Sequence, residues 1–201
     1  MIKFENVFIK YTNDFYSLYD FSCEINSHTL FVGDFFNGTS AIMRTLAKID
    51  KNYNGEIFVD NTNLKNIKDI DLDIAYLPKI PVLFKNKSIE KNLAYPLKIR
   101  KINKKIIKNT INSLFFEYKL DNFNKKIKKL NFSEQKIISL LRALIRKPRY
   151  ILLENFFENL DKTHFDLAVK ILSKLKETST IIACEETKDI EFFKDFTIVE
   201  L

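Results

Sequence analysis

Residues 33–40 have the sequence Gly-Asp-Phe-Phe-Asn-Gly-Thr-Ser, which shows the two-glycine spacing of a phosphate-binding loop, G-x-x-x-x-G-K-S/T, with threonine in place of the lysine. In such a loop, backbone N–H groups surround the phosphates, the lysine places a charge against them, and the next hydroxyl holds Mg²⁺. Thr39 removes that charge. The residues that keep the shell of this vestigial nucleotide site are Gly33, Asn37, Gly38 and Ser40. An ordinary turn from a strand into a helix is the competing interpretation.

The elements that must position this loop follow from the apolar pattern on either side of it. Strand-like runs are predicted at residues 2–9, 21–25, 30–32, 56–59, 73–77, 150–153, 180–184 and 196–201. Helical patterns are predicted after residue 40, over residues 88–120, from an N-cap at Ser133 to Arg146, and over residues 164–176. Because buried strands alternate with helices, the pattern predicts an α/β fold with a parallel, helix-covered sheet.

Basic residues are concentrated in one part of the chain. Residues 85–129 carry fourteen Lys or Arg against three acids, a net charge of +11, while the whole chain carries +7, so the remainder carries −4. A solvated helical surface is one interpretation, and a face directed at anionic lipid is the second. A nucleic-acid partner is not expected, because aromatic side chains are not interleaved with the lysines.

Length, composition and the cysteine and histidine content indicate a single globular domain without a metal site or a membrane-spanning segment. A length of 201 residues with 46% hydrophobic content suits one ordinary domain with a filled core. Cys23 and Cys184 lie in apolar runs and are expected to be buried and reduced, and the isolated His28 and His164 suggest no metal site. The first residues lack the layout of a signal peptide and no apolar run approaches about 20 residues, so a cytoplasmic or peripheral location is expected.

Five separated segments resemble the ATP-binding subunit of ABC transporters, across nearly the whole chain. They are residues 55–57 after the phosphate-loop helix, 74–78 entering the Q-loop, 130–144 at the signature motif, 147–153 at the following strand, and Leu160-Asp161 at the D-loop. The resemblance implies a P-loop NTPase core of ABC type: α/β with a mostly parallel sheet, an N-terminal antiparallel β subdomain and a helical subdomain. It also implies a single domain over residues 1–201, with the helical subdomain at about 85–145 inserted in the core.

Every catalytic position that the resemblance assigns is altered. The altered positions are Thr39 at the phosphate lysine, Lys79 at the Q-loop glutamine, Glu154 at the Mg²⁺-supporting aspartate, Asn155 at the glutamate base and Glu186 at the switch histidine. The signature-like residues are Asn131, Phe132, Ser133 and Glu134, where the family has Ser-Gly-Gly-Gln. In the family, those glycines let backbone N–H groups approach the γ-phosphate held by another subunit.

These changes predict a chain without catalytic residues. Asn155 has no accessible pKa for taking a proton from water, so it cannot be a general base. Glu186 would place negative charge where the transition state of phosphoryl transfer needs positive charge. Phe132 would put a ring where the family keeps the backbone bare. No cofactor or metal is expected, although Tyr11, at the place where the family stacks an aromatic ring on adenine, leaves weak Mg-ATP binding open.

Two alternatives concern the same site. Lys79 would serve as a relocated phosphate lysine in a slow ATPase, or it would form an ion pair with Glu154 or Glu186. The pairs Phe35-Phe36 and Phe156-Phe157 would fill the vacant phosphate pocket, or one ring of each pair would enter the core.

The leading hypothesis is an ATPase-deficient ABC-type subunit that acts as a structural or regulatory partner. The resemblance implies a transmembrane permease-like subunit as partner, received near residues 79–87 and 88–130, and a homo- or heterodimer with an ABC-type subunit. It also implies a peripheral position on the cytoplasmic side of a membrane. The slow ATPase using Lys79 is the alternative, and a basic nucleic-acid-associated module ranks last.

Overall fold

The computed structural model describes residues 1–10, 16–33, 38–120, 124–187 and 189–201. The chain forms two compact units and passes between them four times. The first unit contains Met1–Tyr76, Arg149–Asn155 and Thr180–Leu201, and the second contains Leu77–Pro148 and Phe156–Ser179.

An antiparallel sheet opens the first unit. Its strands are β1 (Ile2–Lys10), β2 (Tyr16–Ile25), β4 (Tyr53–Val59) and β5 (Thr62–Asn63), in the order β2-β1-β4-β5. Strand β1 alternates buried apolar residues with more exposed ones, and Ile2 lies opposite both Ile25 and Val59. One face of this sheet therefore adds to the core of the first unit.

The second sheet of this unit is built from short, almost fully apolar strands. They are β3 (Thr29–Val32), β6 (Ile74–Leu77), β7 (Tyr150–Glu154), β8 (Thr180–Glu185) and β9 (Thr197–Glu200), in the order β6-β7-β8-β3-β9. The pairs β7–β8, β8–β3 and β3–β9 are parallel. Helix α1 (Thr39–Leu46) packs against β7 and β8. Gly33 thus lies at the carboxyl end of an interior parallel strand, β3, and Gly38 lies at the start of α1.

Four helices make up most of the second unit: α2 (Ile89–Ile99), α3 (Lys104–Glu117), α4 (Phe132–Arg146) and α5 (Lys162–Lys176). Helix α2 packs on α3 and α4, and α4 packs on α5. Each helix begins at a residue whose side chain accepts a hydrogen bond from a backbone N–H of the first turn: Ser88, Asn103, Asn131 and Asp161. Such caps satisfy N–H groups that would otherwise lack a partner.

The predicted parallel and antiparallel sheets are confirmed, and several details are corrected. The helical pattern over residues 88–120 is divided into α2 and α3, because the chain turns at Lys101 with a φ of 55°. The N-cap of α4 is Asn131 and not Ser133, since Asn131 and Glu134 form a reciprocal capping box. Cys184 is buried as expected, whereas Cys23 is only half-buried. Among the described helices, none is long and apolar enough to cross a membrane.

Candidate functional site

Two glycines of the vestigial loop, Gly33 and Gly38, are fixed in different ways. The Gly33 N–H donates to the Glu185 carbonyl oxygen at 3.3 Å, which fastens the end of β3 to β8. Gly38 has a φ of 84°, and a Cβ placed there would lie 2.2 Å from the Ser17 carbonyl oxygen. Only glycine fits such a position without a shift of the backbone. Two predicted members of the site, Tyr11 and Asn37, lie outside the described residues.

Thr39, at the position of the phosphate lysine, faces the protein interior. It is the first residue of α1 and is only 4% exposed. Its side chain is in hydrogen-bonding contact with the Cys184 thiol in β8. Burial raises the pKa of the Cys184 thiol well above its usual range, and nearby Glu154 and Glu185 raise it further. The Thr39 side chain therefore joins a neutral, buried contact between α1 and the sheet. The next residue, Ser40, is half-buried.

The two positions after β7 are held by different contacts. The Tyr76 hydroxyl donates to the Glu154 carboxylate, and burial, followed by this hydrogen bond, raises the pKa of Tyr76 above its ordinary value. The Asn155 N–H donates to the Cys184 carbonyl oxygen at 2.9 Å, and the Asn155 backbone has a φ of 41°. Glu186, at the switch position, is exposed.

A cavity of about 720 Å³ lies beside the first turn of α1 in the first unit. The residues that line it are Ile9, Lys10, Ser17, Ser40, Ala41, Arg44, Ile49, Asp50, Lys51 and Asn52. The Arg44 guanidinium donates to both carboxylate oxygens of Asp50, at 2.8 and 3.0 Å. These two residues therefore form an ion pair with each other on one side of the cavity. The volume is within the range of small-molecule sites. No described residue therefore fills the space next to Ser40 and Ala41.

The second phenylalanine pair does not support a filled pocket. Phe156 and Phe157 are buried in the second unit, where their rings are 5.8 Å apart and Phe157 lies 5.0 Å from the ring of Phe165. Both rings thus enter the core of that unit, whereas the alternative interpretation expected only one ring of the pair to do so. Phe35 and Phe36 lie outside the described part of the chain.

The signature-like residues close the N-terminus of α4 with their own side chains. The Glu134 N–H donates to Asn131 Oδ1 at 2.8 Å, and the Asn131 N–H donates to Glu134 Oε2 at 2.7 Å. Lys125 Nζ lies 3.2 Å from Glu134 Oε1. A carboxylate of this chain therefore already sits at the positive end of the helix dipole, where an anion would otherwise be favoured.

We call residues 156–161, which end at the predicted D-loop residues Leu160-Asp161, the D-loop-like segment. Lys136 and Ser133 connect the start of α4 to it. Lys136 Nζ donates to the carbonyl oxygens of Phe156 and Glu158 at 2.7 and 2.8 Å, and it lies over the rings of Phe132 and Phe156 at 5.2 and 5.4 Å. The Asp161 N–H donates to Ser133 Oγ at 3.3 Å. Sequence reasoning did not identify Lys136. Its signal was a lysine four residues before Leu140 on the apolar face of α4.

Lys79 has a carboxylate partner that the sequence analysis did not name. Lys79 Nζ lies 2.7 Å from Glu158 Oε2, in the second unit. The side chains are 46% and 40% exposed, so this pair contributes little to stability.

Within the described ranges, no group of three or more His, Cys, Asp or Glu residues is arranged to hold a metal ion.

Comparisons with known proteins agree on one family. Residues 17–157 match the family model described as "ABC transporter". The molybdate/tungstate import ATP-binding protein WtpC of Methanocaldococcus jannaschii is 29% identical over 192 residues, which cover 94% of this chain and 63% of the relative. The sn-glycerol-3-phosphate import ATP-binding protein UgpC of Bartonella bacilliformis is 25% identical over 204 residues, covering 98% of this chain and 59% of the relative. The chain thus spans about three fifths of these relatives' length.

The fold is also shared with a solved structure. The dimeric, post-hydrolysis ATP-binding cassette MJ0796 bound to ADP and Pi superposes with a TM-score of 0.86 at 21% identity, covering 100% of this chain and 94% of that one.

Proposed function

Because this chain belongs to the ABC transporter family, we propose that it is an ATP-binding-like subunit that does not hydrolyse ATP and acts as a structural or regulatory partner. The observation that carries the proposal is Thr39, which puts a buried, neutral side chain beside Cys184 at the position of the phosphate lysine. A threonine hydroxyl cannot supply the positive charge that phosphoryl transfer requires on the phosphates.

The other altered positions support the same proposal. Asn155 offers an amide where the family has its base, and an amide does not take a proton from water near neutral pH. The Glu154 carboxylate accepts a hydrogen bond from the Tyr76 hydroxyl. This hydrogen bond occupies one of the carboxylate oxygens that would otherwise be available to a metal ion. The phosphate end of the site therefore does not fit Mg-triphosphate well. Beside it, the 720 Å³ cavity has room for a nucleoside, so weak Mg-ATP binding is part of the proposal.

The start of α4 makes an ordinary ATP-bridged dimer unfavourable. In the family, this helix presents bare backbone N–H groups to the γ-phosphate on another subunit. Here Asn131 and Glu134 satisfy the first N–H groups, and the Glu134 carboxylate would repel a phosphate. A dimer with an ABC-type subunit is accordingly proposed to form without nucleotide-driven closure.

A preorganised apolar surface of the second unit supports docking to a permease-like membrane subunit. We call Ile80, Val82, Phe84 and Tyr95 the apolar face; all four are exposed. The Phe84 ring packs against the edge of Tyr95 at 4.7 Å. Exposed apolar clusters of this kind are typical of protein contact sites.

The side chains of Asn92 and Arg142 fix the backbone under the apolar face. The fully buried Asn92 accepts a hydrogen bond from the Phe84 N–H at 2.8 Å and donates to the Phe84 carbonyl oxygen at 3.2 Å. Arg142 donates to the Val82 carbonyl oxygen at 2.7 Å. Because this surface is already ordered, it would lose little conformational entropy when a partner helix binds there. Such docking would place the chain peripherally on the cytoplasmic side of a membrane, as part of a transport complex.

Titration calorimetry with Mg-ATP tests the nucleotide part of the proposal. We expect no binding, or binding only at millimolar nucleotide, and no phosphate release above the buffer rate. The Lys79→Ala variant removes both the ammonium and its ion pair, whereas Glu158→Gln removes only the pair. Tight binding that Lys79→Ala abolishes and Glu158→Gln preserves would replace this proposal with a slow ATPase that uses Lys79 as its phosphate lysine.

Co-purification with a permease encoded beside this chain tests the docking part. Val82→Asp should abolish the complex, because a carboxylate on the apolar face would be buried without a partner. Ile70→Asp is the matched control, since Ile70 lies in the first unit and both residues are 69% exposed. Equal loss in the two variants, or loss in neither, would contradict docking through the apolar face.

A further inference from the structure

The connection between α2 and α3 combines charge and exposed apolar side chains. We call residues 98–108 the α2–α3 corner. It contains six Lys or Arg residues and no acid. Ile99, Ile102 and Ile106 are all exposed there, at 47%, 38% and 56%. Three exposed isoleucines among six cations form an amphipathic surface that differs from an ordinary solvated lysine face, in which apolar residues turn inward.

The backbone of the corner is ordered, so this exposure is a property of the fold. Lys101 adopts a left-handed φ of 55°, and the Ile102 N–H donates to the Leu97 carbonyl oxygen at 3.1 Å. The Asn103 side chain accepts from the Lys105 N–H at 2.8 Å and so starts α3. These contacts end one helix and begin the next with Ile102 on the outside.

The lysines of the corner are not neutralised within the described part of the chain. Lys98, Lys101, Lys104, Lys105 and Lys108 are exposed and form no ion pair there. Elsewhere in the second unit, Lys79, Lys125 and Lys174 each pair with a glutamate. The acids closest to the corner in sequence are Glu90 and Glu117. The corner is thus a local cationic surface whose five lysine charges are available to a partner.

We propose that the α2–α3 corner is the contact surface for an anionic lipid bilayer. The isoleucines enter the boundary between headgroups and acyl chains, and the lysines lie against the anionic headgroups. This proposal deepens the peripheral membrane placement proposed above and rests on it, and none of the residues of the corner belongs to the apolar face. Nucleic acid is the less favoured partner, since the corner contains no aromatic residue on which bases would stack.

Vesicle co-sedimentation with the purified full chain tests the proposal. The probes are vesicles with about 30 mol% phosphatidylglycerol in phosphatidylcholine, and vesicles of phosphatidylcholine alone. We expect binding to the anionic vesicles that weakens with added salt, and far weaker binding to the neutral ones. Replacing Lys101, Lys104, Lys105 and Lys108 with glutamine should weaken binding at least about a hundredfold, at roughly fivefold per lysine.

Two matched variants distinguish binding through the α2–α3 corner from a general attraction between a basic protein and anionic vesicles. Replacing four other exposed lysines of the second unit, Lys126, Lys128, Lys129 and Lys162, with glutamine removes the same charge and should change binding only a fewfold. Ile106→Ser should weaken binding about tenfold with the salt dependence unchanged, whereas Ile70→Ser in the first unit should not.

Two results would overturn the proposal: failure of the chain to bind anionic vesicles, and equal weakening of binding by the two lysine quadruple variants. If the chain does not bind vesicles but binds single-stranded RNA with the same lysine dependence, the corner contacts nucleic acid instead. Because the assay contains neither permease nor nucleotide, its failure would leave the calorimetric and Val82→Asp tests to decide the proposed function separately.

Discussion

Lys136 Nζ donates a hydrogen bond to the Phe156 carbonyl oxygen at 2.7 Å, although the lysine is only 1% exposed. A second bond to the Glu158 carbonyl at 2.8 Å makes Lys136 the link between α4 and the D-loop-like segment. Lys136→Met keeps the length of the side chain but leaves both carbonyls without this donor. We expect the free energy of unfolding to fall by about 2–4 kcal/mol, measured by urea denaturation.

A matched control for this change is Lys162→Met, at the exposed start of α5, which should alter stability by less than about 0.5 kcal/mol. If Lys136→Met proved as stable as the parent chain, desolvation of the buried ammonium would cost as much as its hydrogen bonds return. Lys136 would then not be what holds residues 156–161 in place.

The cap of α4 gives a second prediction. Asn131→Ala removes the acceptor for the Glu134 N–H and should lower the free energy of unfolding by about 1 kcal/mol. Asn131→Ser, which keeps an oxygen acceptor, should restore most of that loss. Thermal unfolding of the three proteins measures the difference. A serine variant as unstable as the alanine variant would mean that the cap is not the stabilising feature.

The fold was largely predictable because its local signals agree. The apolar runs that form β7 and β8 are buried on both faces of the sheet. A four- to six-residue apolar run between turn residues is typical of a buried parallel strand and is too short for most helices. Errors arose where two signals competed at one place. Ser133 and Asn131 are both good caps, and only the reciprocal bond with Glu134 favours Asn131. A change of helix direction at Lys101 requires a left-handed residue, for which the sequence offers no glycine.

The site was less predictable, because its contacts join residues that are far apart in sequence. The family resemblance predicted that Thr39 and Glu154 lie in the site. It did not predict that Thr39 contacts the Cys184 thiol or that Glu154 accepts a hydrogen bond from Tyr76. The partner of Lys79 was not foreseen either, since a glutamate at position 158 has no special spacing from residue 79. Such partners depend on strand order and side-chain direction, which a pattern along one chain does not encode.

Tyrosine ionisation should make the protein sensitive to alkali. Burial raises the pKa of Tyr53, Tyr118 and Tyr150 to about 12, and raises that of Tyr76 further. In the unfolded chain these phenols ionise near pH 10. The folded state therefore keeps protons that the unfolded state has lost, so stability is intact below about pH 10 and decreases as pH rises towards 12.

Absorbance near 295 nm during an alkaline titration measures this effect. We expect an early, reversible step from tyrosines with ordinary pKa values and a late step that coincides with loss of circular dichroism. Tyr53→Phe should reduce the late step with little loss of stability at pH 7, because the Tyr53 hydroxyl is buried with no hydrogen-bond partner among the described residues. A single early step accounting for all the tyrosines would contradict the burial of these phenols.

Gly38 should be the least replaceable residue of the vestigial loop. A Cβ at this position would lie 2.2 Å from the Ser17 carbonyl oxygen, and the φ of 84° is unfavourable for residues with a side chain. Gly38→Ala should therefore lower the free energy of unfolding by roughly 3 kcal/mol or more, measured by chemical denaturation. Gly38→Asn separates the two causes, because asparagine tolerates a left-handed backbone but carries the same Cβ. If the clash with Ser17 dominates, the asparagine variant is as unstable as the alanine variant. If backbone strain dominates, the asparagine variant recovers about 1 kcal/mol of the lost free energy of unfolding. An alanine variant as stable as the parent chain would contradict the prediction and show that β2 shifts at Ser17 without a cost in stability.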